Sequence, residues 1–400
     1  MIRVWLLIVL AGLSGLAPGV TEDKVRQVLS NLQECHGFPG ATVAWAGPGN
    51  TAHALAVGMA DPDSETPMSP DSRMLAASIG KSFVAAAILR AAEDGQLDLD
   101  SPISTWLGNQ EWFYRLPNHE TLTLRHLLTH TGGLPDHVYL PAFQRLFQRS
   151  RTSAEAPDTQ DLINLILDME SLFAPGKGWA YSDTGYLLAA RVLEAVTSHP
   201  WTDYVRIHFL KPLNLEATMP SDQRHIAGLA TGITSIESPF GLPERTMDED
   251  GRLVWHPAVE DAGGGFVSTA GDLARWGRAL WSGQLHSEAS FKAMMTGAPM
   301  SEDRPEVTYG LGVVIEPTEQ FGEVRGHRGW IPGYVSSLRY YPDYDIAIAV
   351  QINSDIGMMG QEGSFMRVEA EITEAILTPF FKGESHDGLL RKSQGDLAAP

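Results

Sequence analysis

The sequence predicts an α+β fold: one antiparallel sheet flanked by helices, with an all-helical lobe inserted in it. Three observations lead there. Strand patterns occur near both ends of the chain, first in "GATVAWAG" and "AHALAVGMA" and again in "YGLGVVIEP", "EVRGHRGW", "YVSSLRYYP" and "IAIAVQIN". From Ser78 to about residue 290 the pattern is mostly helical, broken by long Gly- and Pro-containing loops. No internal repeat divides the 400 residues. Strands at both ends around a helical middle form one sheet when the chain returns, and a site is expected in the cleft between the two lobes.

The elements follow in order. Arg3, the apolar run "VWLLIVLAGLSGLA" from Val4 to Ala17 and the small residues "APG" read as a signal peptide over residues 1–20. The apolar run is too short for a comfortable membrane span, so no stable membrane insertion is expected; an uncleaved anchor is the alternative. No cysteine stands directly after it, which argues against a lipoprotein anchor. The mature protein is expected to be exported, periplasmic or secreted. "TEDKVRQVLSNLQEC" has helical spacing, with Val25, Val28, Leu29 and Leu32 on one face. Two strands separated by "PGN" come next. A single domain over 21–381 is expected, with a sheet lobe at about 21–75 and 295–381 and a helical lobe at about 76–294. A final amphipathic helix is predicted over about 363–379, and residues 382–400 read as a polar tail.

Composition sets limits on partners. The chain is 43% hydrophobic and 20% charged, which is globular, and its length prior is two or three domains. A net charge of −20 argues against nucleic acid and against anionic membrane surfaces. Cys35 is the only cysteine, so an internal disulfide is impossible. A small unused thiol explains it better than a nucleophile.

Three stretches carry chemistry. In "LAASIGKSFVAAAIL" Ser78 and Lys81 stand three residues apart at the mouth of an alanine-rich helix. A serine hydroxyl is a weak nucleophile and needs a base. A lysine one helical turn on lies within reach, and a dry alanine floor eases loss of its proton. Free N–H groups at a helix start can hold an oxyanion. The bland reading is a surface serine beside a solvated lysine. In "GKGWAYSDTGYLLAARVLEAV", Tyr181, Ser182 and Asp183 sit just before an apolar helix. A phenol near an ammonium can relay protons, and Ser182 or Asp183 can also be a helix N-cap. In "RGHRGWIPGYVSSLRYYP", His327 and Gly329 lie on a strand. Glycine there lets a substrate backbone approach the strand edge, and the Trp330 N–H can then donate to a carbonyl. An ordinary strand with a buried histidine fits the same stretch.

Taken in this order and spacing, the three resemble the penicillin-recognising serine hydrolases: class C β-lactamases, D-alanyl-D-alanine carboxypeptidases and related esterases. That superfamily carries Ser-x-x-Lys, then Tyr-x-Asn, then Lys-Thr-Gly or His-x-Gly. "EDGQLDLDSPI", "LTLRHLLTHTGGLP", "GGGFVSTAGDLARW" and "TYGLGV" are similar to stretches of the same family, so the resemblance covers about residues 25–380. It implies a β-lactamase/transpeptidase-like fold, Ser78 as the acylated nucleophile, Lys81 as its partner and Tyr181 as general base or acid. It places His327 where many relatives have lysine. It implies an oxyanion hole from the N–H groups of Ser78 and Trp330, and hydrolysis of the acyl-enzyme by water.

Two positions depart from the pattern. Asp183 stands where the family has asparagine. An ionised Asp183 beside Lys81 would keep the lysine charged, shift base work to Tyr181 and disfavour acidic acyl groups. Arg328 stands where many relatives have threonine, and would either clamp a substrate carboxylate or point to solvent. Asp183, Arg328, Gly329 and Trp330 are thus the expected substrate-binding residues. The "HLLTH" pair, His126 and His130, has zinc spacing but lacks the glutamate of His-Glu-x-x-His and matches a structural loop of the family, so no metal is expected. No cofactor is expected either. A Gly-x-Ser-x-Gly elbow is absent. The expectation is an exported serine hydrolase, carboxypeptidase-like or esterase-like, acting on a small-molecule or peptide substrate. A β-lactamase is the alternative, and a non-catalytic scaffold of the same fold is the rival of another class.

Overall fold

The computed structural model describes residues 22–153, 155–359 and 363–395, with side chains through 380; the expected signal segment lies outside them. The strands are β1 (Gly40–Ala46), β2 (Ala52–Asp61), β3 (Thr66–Pro67), β4 (Met74–Leu75), β5 (Met219–Pro220), β6 (Phe266–Ser268), β7 (Ala298–Pro299), β8 (Thr308–Tyr309), β9 (Val314–Thr318), β10 (Gly322–Ile331), β11 (Tyr334–Tyr341) and β12 (Ile346–Ile352). Nine of them form one sheet in the order β3-β2-β1-β12-β11-β10-β9-β8-β7, with every pair antiparallel. The N-terminal strands join the C-terminal ones where β1 pairs with β12, Val43 opposite Val350. This is the single mixed-origin sheet that the sequence predicts.

The helices are α1 (Glu22–His36), α2 (Gly80–Glu93), α3 (Ser104–Leu107), α4 (Leu124–Leu128), α5 (Pro141–Ser150), α6 (Thr159–Asn164), α7 (Asp183–Thr197), α8 (Trp201–Val205), α9 (Ala270–Trp281), α10 (Glu288–Met295) and α11 (Phe365–Gly395). The terminal helix runs past the expected 363–379 and into the segment read as a tail, with Pro379 inside it. A proline deletes one backbone donor, and a helix can kink there instead of ending.

The central strands β1, β11 and β12 are buried on both faces, and each face has its own cover. α1 and α11 pack on one side, where Val25, Leu29, Val43, Val350 and Ile372 share a core. On the other side α9 lies across β1, β11 and β12. Its core continues without a break into the helical lobe, from Ala44 and Ala349 through Phe83 and Trp276 to Leu127 and Leu188. Phe83 of α2 stacks on Trp276 of α9 with ring centroids 4.2 Å apart and touches Phe266 at 4.7 Å. α2 is therefore the pillar between sheet and helices.

A second, three-stranded sheet, β4-β6-β5, ends at Leu75. The chain leaves it with Ala76 N–H bonded to Phe266 O and turns at once into the start of α2. The fold fixes the position of Ser78 by this exit.

Candidate active site

Ser78 lies in a single 3₁₀ turn, Ala77–Ile79, directly before α2. From Met74 to Leu89 it is the one residue that is not buried. The residue before it, Ala77, has φ +49°, a left-handed conformation that costs a non-glycine residue energy and is typical of functional turns. Neighbours hold the turn in place. Ser336 Oγ of β11 donates to Ala76 O at 2.8 Å. Gly329 of β10 comes so close that a Cβ there would stand 2.3 Å from Ala76 O. This is the physical reason for glycine at 329.

Lys81 sits one turn into α2, fully buried. Its Nζ donates to Ser78 Oγ at 3.2 Å and to Gly263 O, and is ion-paired with the Asp183 carboxylate. Two rings complete its surroundings: Nζ lies 4.8 Å from the Tyr181 ring centre and 5.5 Å from that of Tyr186.

Tyr181 and Asp183 flank Ser182, the N-cap of α7. Of the two expected capping residues, Ser182 holds the place, yet its hydroxyl donates to Pro135 O at 3.2 Å instead of capping. Asp183 is the first helical residue and points at Lys81. Burial, then the Asp183 carboxylate, push the Tyr181 phenol well above its ordinary range, and a hydrogen bond with Ser78 pulls the other way. The sequence expects Asp183 to shift base work to Tyr181, but its charge also acts on the phenol itself. It makes the phenol harder to ionise, because one negative charge opposes another nearby.

The third stretch closes the site. β9 pairs with β10 only as far as Gly326, whereas β11 pairs along to Ile331. Residues 327–331 thus present an open strand edge, and they line a cavity of about 440 Å³ together with Ser78, Tyr181 and Asp183. His327 is buried and neutral: burial first, then Lys81, bring it down to about 3. Its Nδ1–H donates to Arg328 O at 2.6 Å, so Nε2 accepts from Tyr309 O–H at 2.7 Å. Arg328 corrects the expectation on both counts. Its guanidinium neither faces solvent unpaired nor stands free for a carboxylate, but forks onto Glu369 of α11 at 2.7 and 2.8 Å. The strand alternation sends residue 328 to the face opposite His327. Trp330 lines the cavity, with its indole N–H bonded to Asp355 at 3.0 Å.

Four residues of this site were not singled out in the sequence for it. Asp136 and Glu260 lie in loops, just outside the stretches "LTLRHLLTHTGGLP" and "GGGFVSTAGDLARW", and both line the cavity. Tyr309 holds His327. His130, weighed only as a zinc ligand, has φ +59° and grips the segment around Tyr181 from both sides. Its carbonyl accepts the Ala180 N–H at 3.0 Å, its Nδ1 accepts the Ser182 N–H at 3.2 Å, and its ring lies 4.2 Å from that of Tyr181. His126 is employed elsewhere, completing the capping box of α4 with Thr123. Loops lack periodicity, so no spacing in the sequence could announce these roles.

The family model described as Beta-lactamase matches residues 25–369. The chain belongs to this family. Its members are serine hydrolases, and the chain is an enzyme of that class. Penicillin-binding protein 4* of Bacillus subtilis (strain 168) is 26% identical over 329 residues, 80% of this chain and 69% of the relative. A D-stereospecific amidohydrolase from Streptomyces sp. is 25% identical, with a TM-score of 0.73 over 89% of this chain and 98% of that one. The D-amino acid amidase from Ochrobactrum anthropi SV3, solved with L-phenylalanine, shares the fold at 24% identity, with a TM-score of 0.75 over 91% and 100% of the two chains.

Proposed function

We propose that the protein is an exported hydrolase that opens an amide or ester bond through an acyl-enzyme on Ser78, in the manner of a carboxypeptidase or esterase. The observation that carries this reading is the buried Lys81 nitrogen, which donates to Ser78 Oγ and Gly263 O and is ion-paired with Asp183. Ser78 Oγ attacks the substrate carbonyl carbon. Its proton passes to Lys81 as Lys81 gives one to Asp183. Tyr181, which burial keeps protonated, donates to the leaving nitrogen or oxygen as the C–N or C–O bond breaks, and takes a proton back from Lys81, which recovers its own from Asp183. The carbonyl oxygen rests against the Ser78 N–H and the open edge of β10 at Trp330. Water then splits the acyl-enzyme and restores Ser78.

The amidases that share the fold support an amide as the bond cleaved. A negative Asp183 where the family has asparagine speaks for such substrates over β-lactams. The test is intact-protein mass spectrometry after a fluorophosphonate and after a penicillin. We expect one fluorophosphonate adduct on the wild type and none on folded Ser78→Ala. Equal labelling of both proteins would refute the assignment of the nucleophile. No adduct on either protein, with no ester turnover, would favour a non-catalytic scaffold.

Export rests on Arg3, the apolar run and the small residues after it. Among the described residues, no helix is long and apolar enough to cross a membrane. N-terminal sequencing of the exported protein is expected to start near residue 18–21. An intact Met1 in a soluble cytoplasmic fraction would overturn this.

A further inference from the structure

The open edge of β10 receives the substrate, and its two ends serve different halves. The carbonyl oxygen rests at Trp330, while Tyr181 donates to the leaving group. The Tyr181 ring lies 6.4 Å from that of His327 and 6.2 Å from that of Tyr309. The leaving group therefore departs at the His327 end. A carboxylate on it would need a cation or free N–H and O–H donors there. Both ring nitrogens of neutral His327 are already spent, Nδ1–H on Arg328 O and Nε2 on the Tyr309 hydroxyl. Arg328 and Arg339 line the cavity too, but each guanidinium is matched from behind. Arg328 forks onto Glu369, and Arg339 meets Glu316 at 2.6 Å and Glu369 at 3.4 Å. Two carboxylates against two guanidinium groups leave little net attraction for a third anion.

The remaining ionisable groups near Ser78 add no free charge. Lys81 is ion-paired with Asp183. Burial, then the Asp183 charge, push Asp136 and Glu260 up to about 8, so near neutral pH both are largely protonated.

The walls at the His327 end are apolar. β9 brings Val314, which pairs with Gly326 just before the open edge. The loop from β7 to β8 brings Met300, whose N–H donates to Val307 O at 3.1 Å beside the Pro299–Thr308 pair. α11 brings Phe365 and Met366, four and three residues before Glu369 and so on the helix face that holds Arg328. All four line the cavity. Met366 is 58% exposed, an apolar side chain left open at the cavity's edge. Methionine is flexible and polarizable, and fits apolar groups of varied shape.

We infer that the enzyme cleaves amides or esters whose leaving group is uncharged and apolar, and that it recognises no terminal carboxylate. This rests on the serine-hydrolase reading above and narrows it, away from a carboxypeptidase and toward an esterase or amidase with a hydrophobic leaving group. The leaving part lies against Val314, Met300 and Met366, and the carbonyl reaches Ser78. Ser78 Oγ bonds to the carbonyl carbon, the C–N or C–O bond breaks, and the leaving nitrogen or oxygen takes the Tyr181 proton. It departs as an amine or alcohol, and water then releases the acid.

Aryl acetates with one acyl group and different leaving groups test this. The comparison is of kcat/KM for 4-acetoxybenzoate with that for its methyl and butyl esters, each divided by its rate constant with hydroxide. The methyl ester should exceed the free acid about 10-fold or more, since the carboxylate lacks a partner in the site. The butyl ester should gain about 2- to 4-fold over the methyl ester for each added methylene. Val314→Lys puts a cation at this end and should bring the acid and the methyl ester closer together. Equal or faster cleavage of the free acid, no gain from methyl to butyl, or an unchanged ratio in folded Val314→Lys overturns the inference. Calorimetry of the wild-type protein with the products, 4-hydroxybenzoate and butyl 4-hydroxybenzoate, decides it without turnover and without a variant. The butyl ester should bind about 10-fold more tightly or better, and equal or tighter binding of 4-hydroxybenzoate overturns the inference. If no acetate is cleaved and Ser78 is not labelled, the hydrolase reading fails, while the calorimetry still decides the apolar subsite.

Discussion

At the scale of single residues, the position of Tyr181 depends on His130. The histidine holds the N–H groups on either side of the tyrosine and lies against its ring. With Nδ1 accepting from Ser182, the proton sits on Nε2, which has no partner among the described residues. Burial first, and then Lys81, hold this ring well below the usual histidine range, so it stays neutral. His130 is thus a positioning residue and carries no charge into the site. Removing it should misplace the phenol, and misplacements near 1 Å cost about 100-fold in rate. We expect His130→Ala to lower kcat about 10- to 100-fold with a smaller change in KM. His130→Asn should recover part of the loss, because asparagine tolerates positive φ and offers an acceptor to Ser182. Steady-state kinetics of the two folded variants checks this, and equal kcat for His130→Ala and wild type would refute it.

At the scale of elements, the strand that carries the site is braced from behind. Glu369 of α11 receives a two-pronged bond from Arg328, a hydrogen bond from Ser337 Oγ at 2.5 Å and the Arg339 guanidinium at 3.4 Å. Burial alone would push the Glu369 carboxyl up, but Arg339, Arg328 and these hydrogen bonds outweigh it and hold the group at about 2. A carboxyl lowered by folding stabilises the protein above its unfolded value near 4.5, and that stability is lost as pH falls toward 2. We expect Glu369→Gln to cost about 3 kcal/mol at neutral pH, since it leaves buried guanidinium groups uncompensated. The gap to wild type should shrink as pH drops from about 4.5 to 2. Urea unfolding at several pH values measures it, and a gap independent of pH would show that the pair does not anchor α11 to β10 and β11.

At the scale of the whole molecule, the site is a meeting of segments far apart in the chain. The exit from β4 brings Ser78, α2 brings Lys81, and the 130–136 and 181–183 segments bring His130, Asp136, Tyr181 and Asp183. The loop before β6 brings Glu260 and the Gly263 carbonyl, and β10 brings the open edge. What holds them in register is the continuous core that runs from the sheet through α9 and α2 into the helical lobe. The second core, under α1 and α11, braces the far face of the sheet. A cleft between two lobes is an apt description of the surface, but the interior beneath it is shared.

The sequence by itself determined the sheet of two chain ends, the helical middle and the three stretches with Ser78, Lys81, Tyr181 and His327. Each of these is written in local periodicity or short spacing: period two for strands, one helical turn for Ser78 and Lys81. It also determined the placement of Asp183 beside Lys81, through the family resemblance. Only the tertiary structure decided what the side chains do there. It turned Arg328 onto Glu369, made His327 a neutral partner of Tyr309, set His130 around Tyr181 and gathered Asp136 and Glu260 at the cavity. Those outcomes depend on which elements pack face to face, and burial shifts a group's protonation only once its neighbours across the fold are in place.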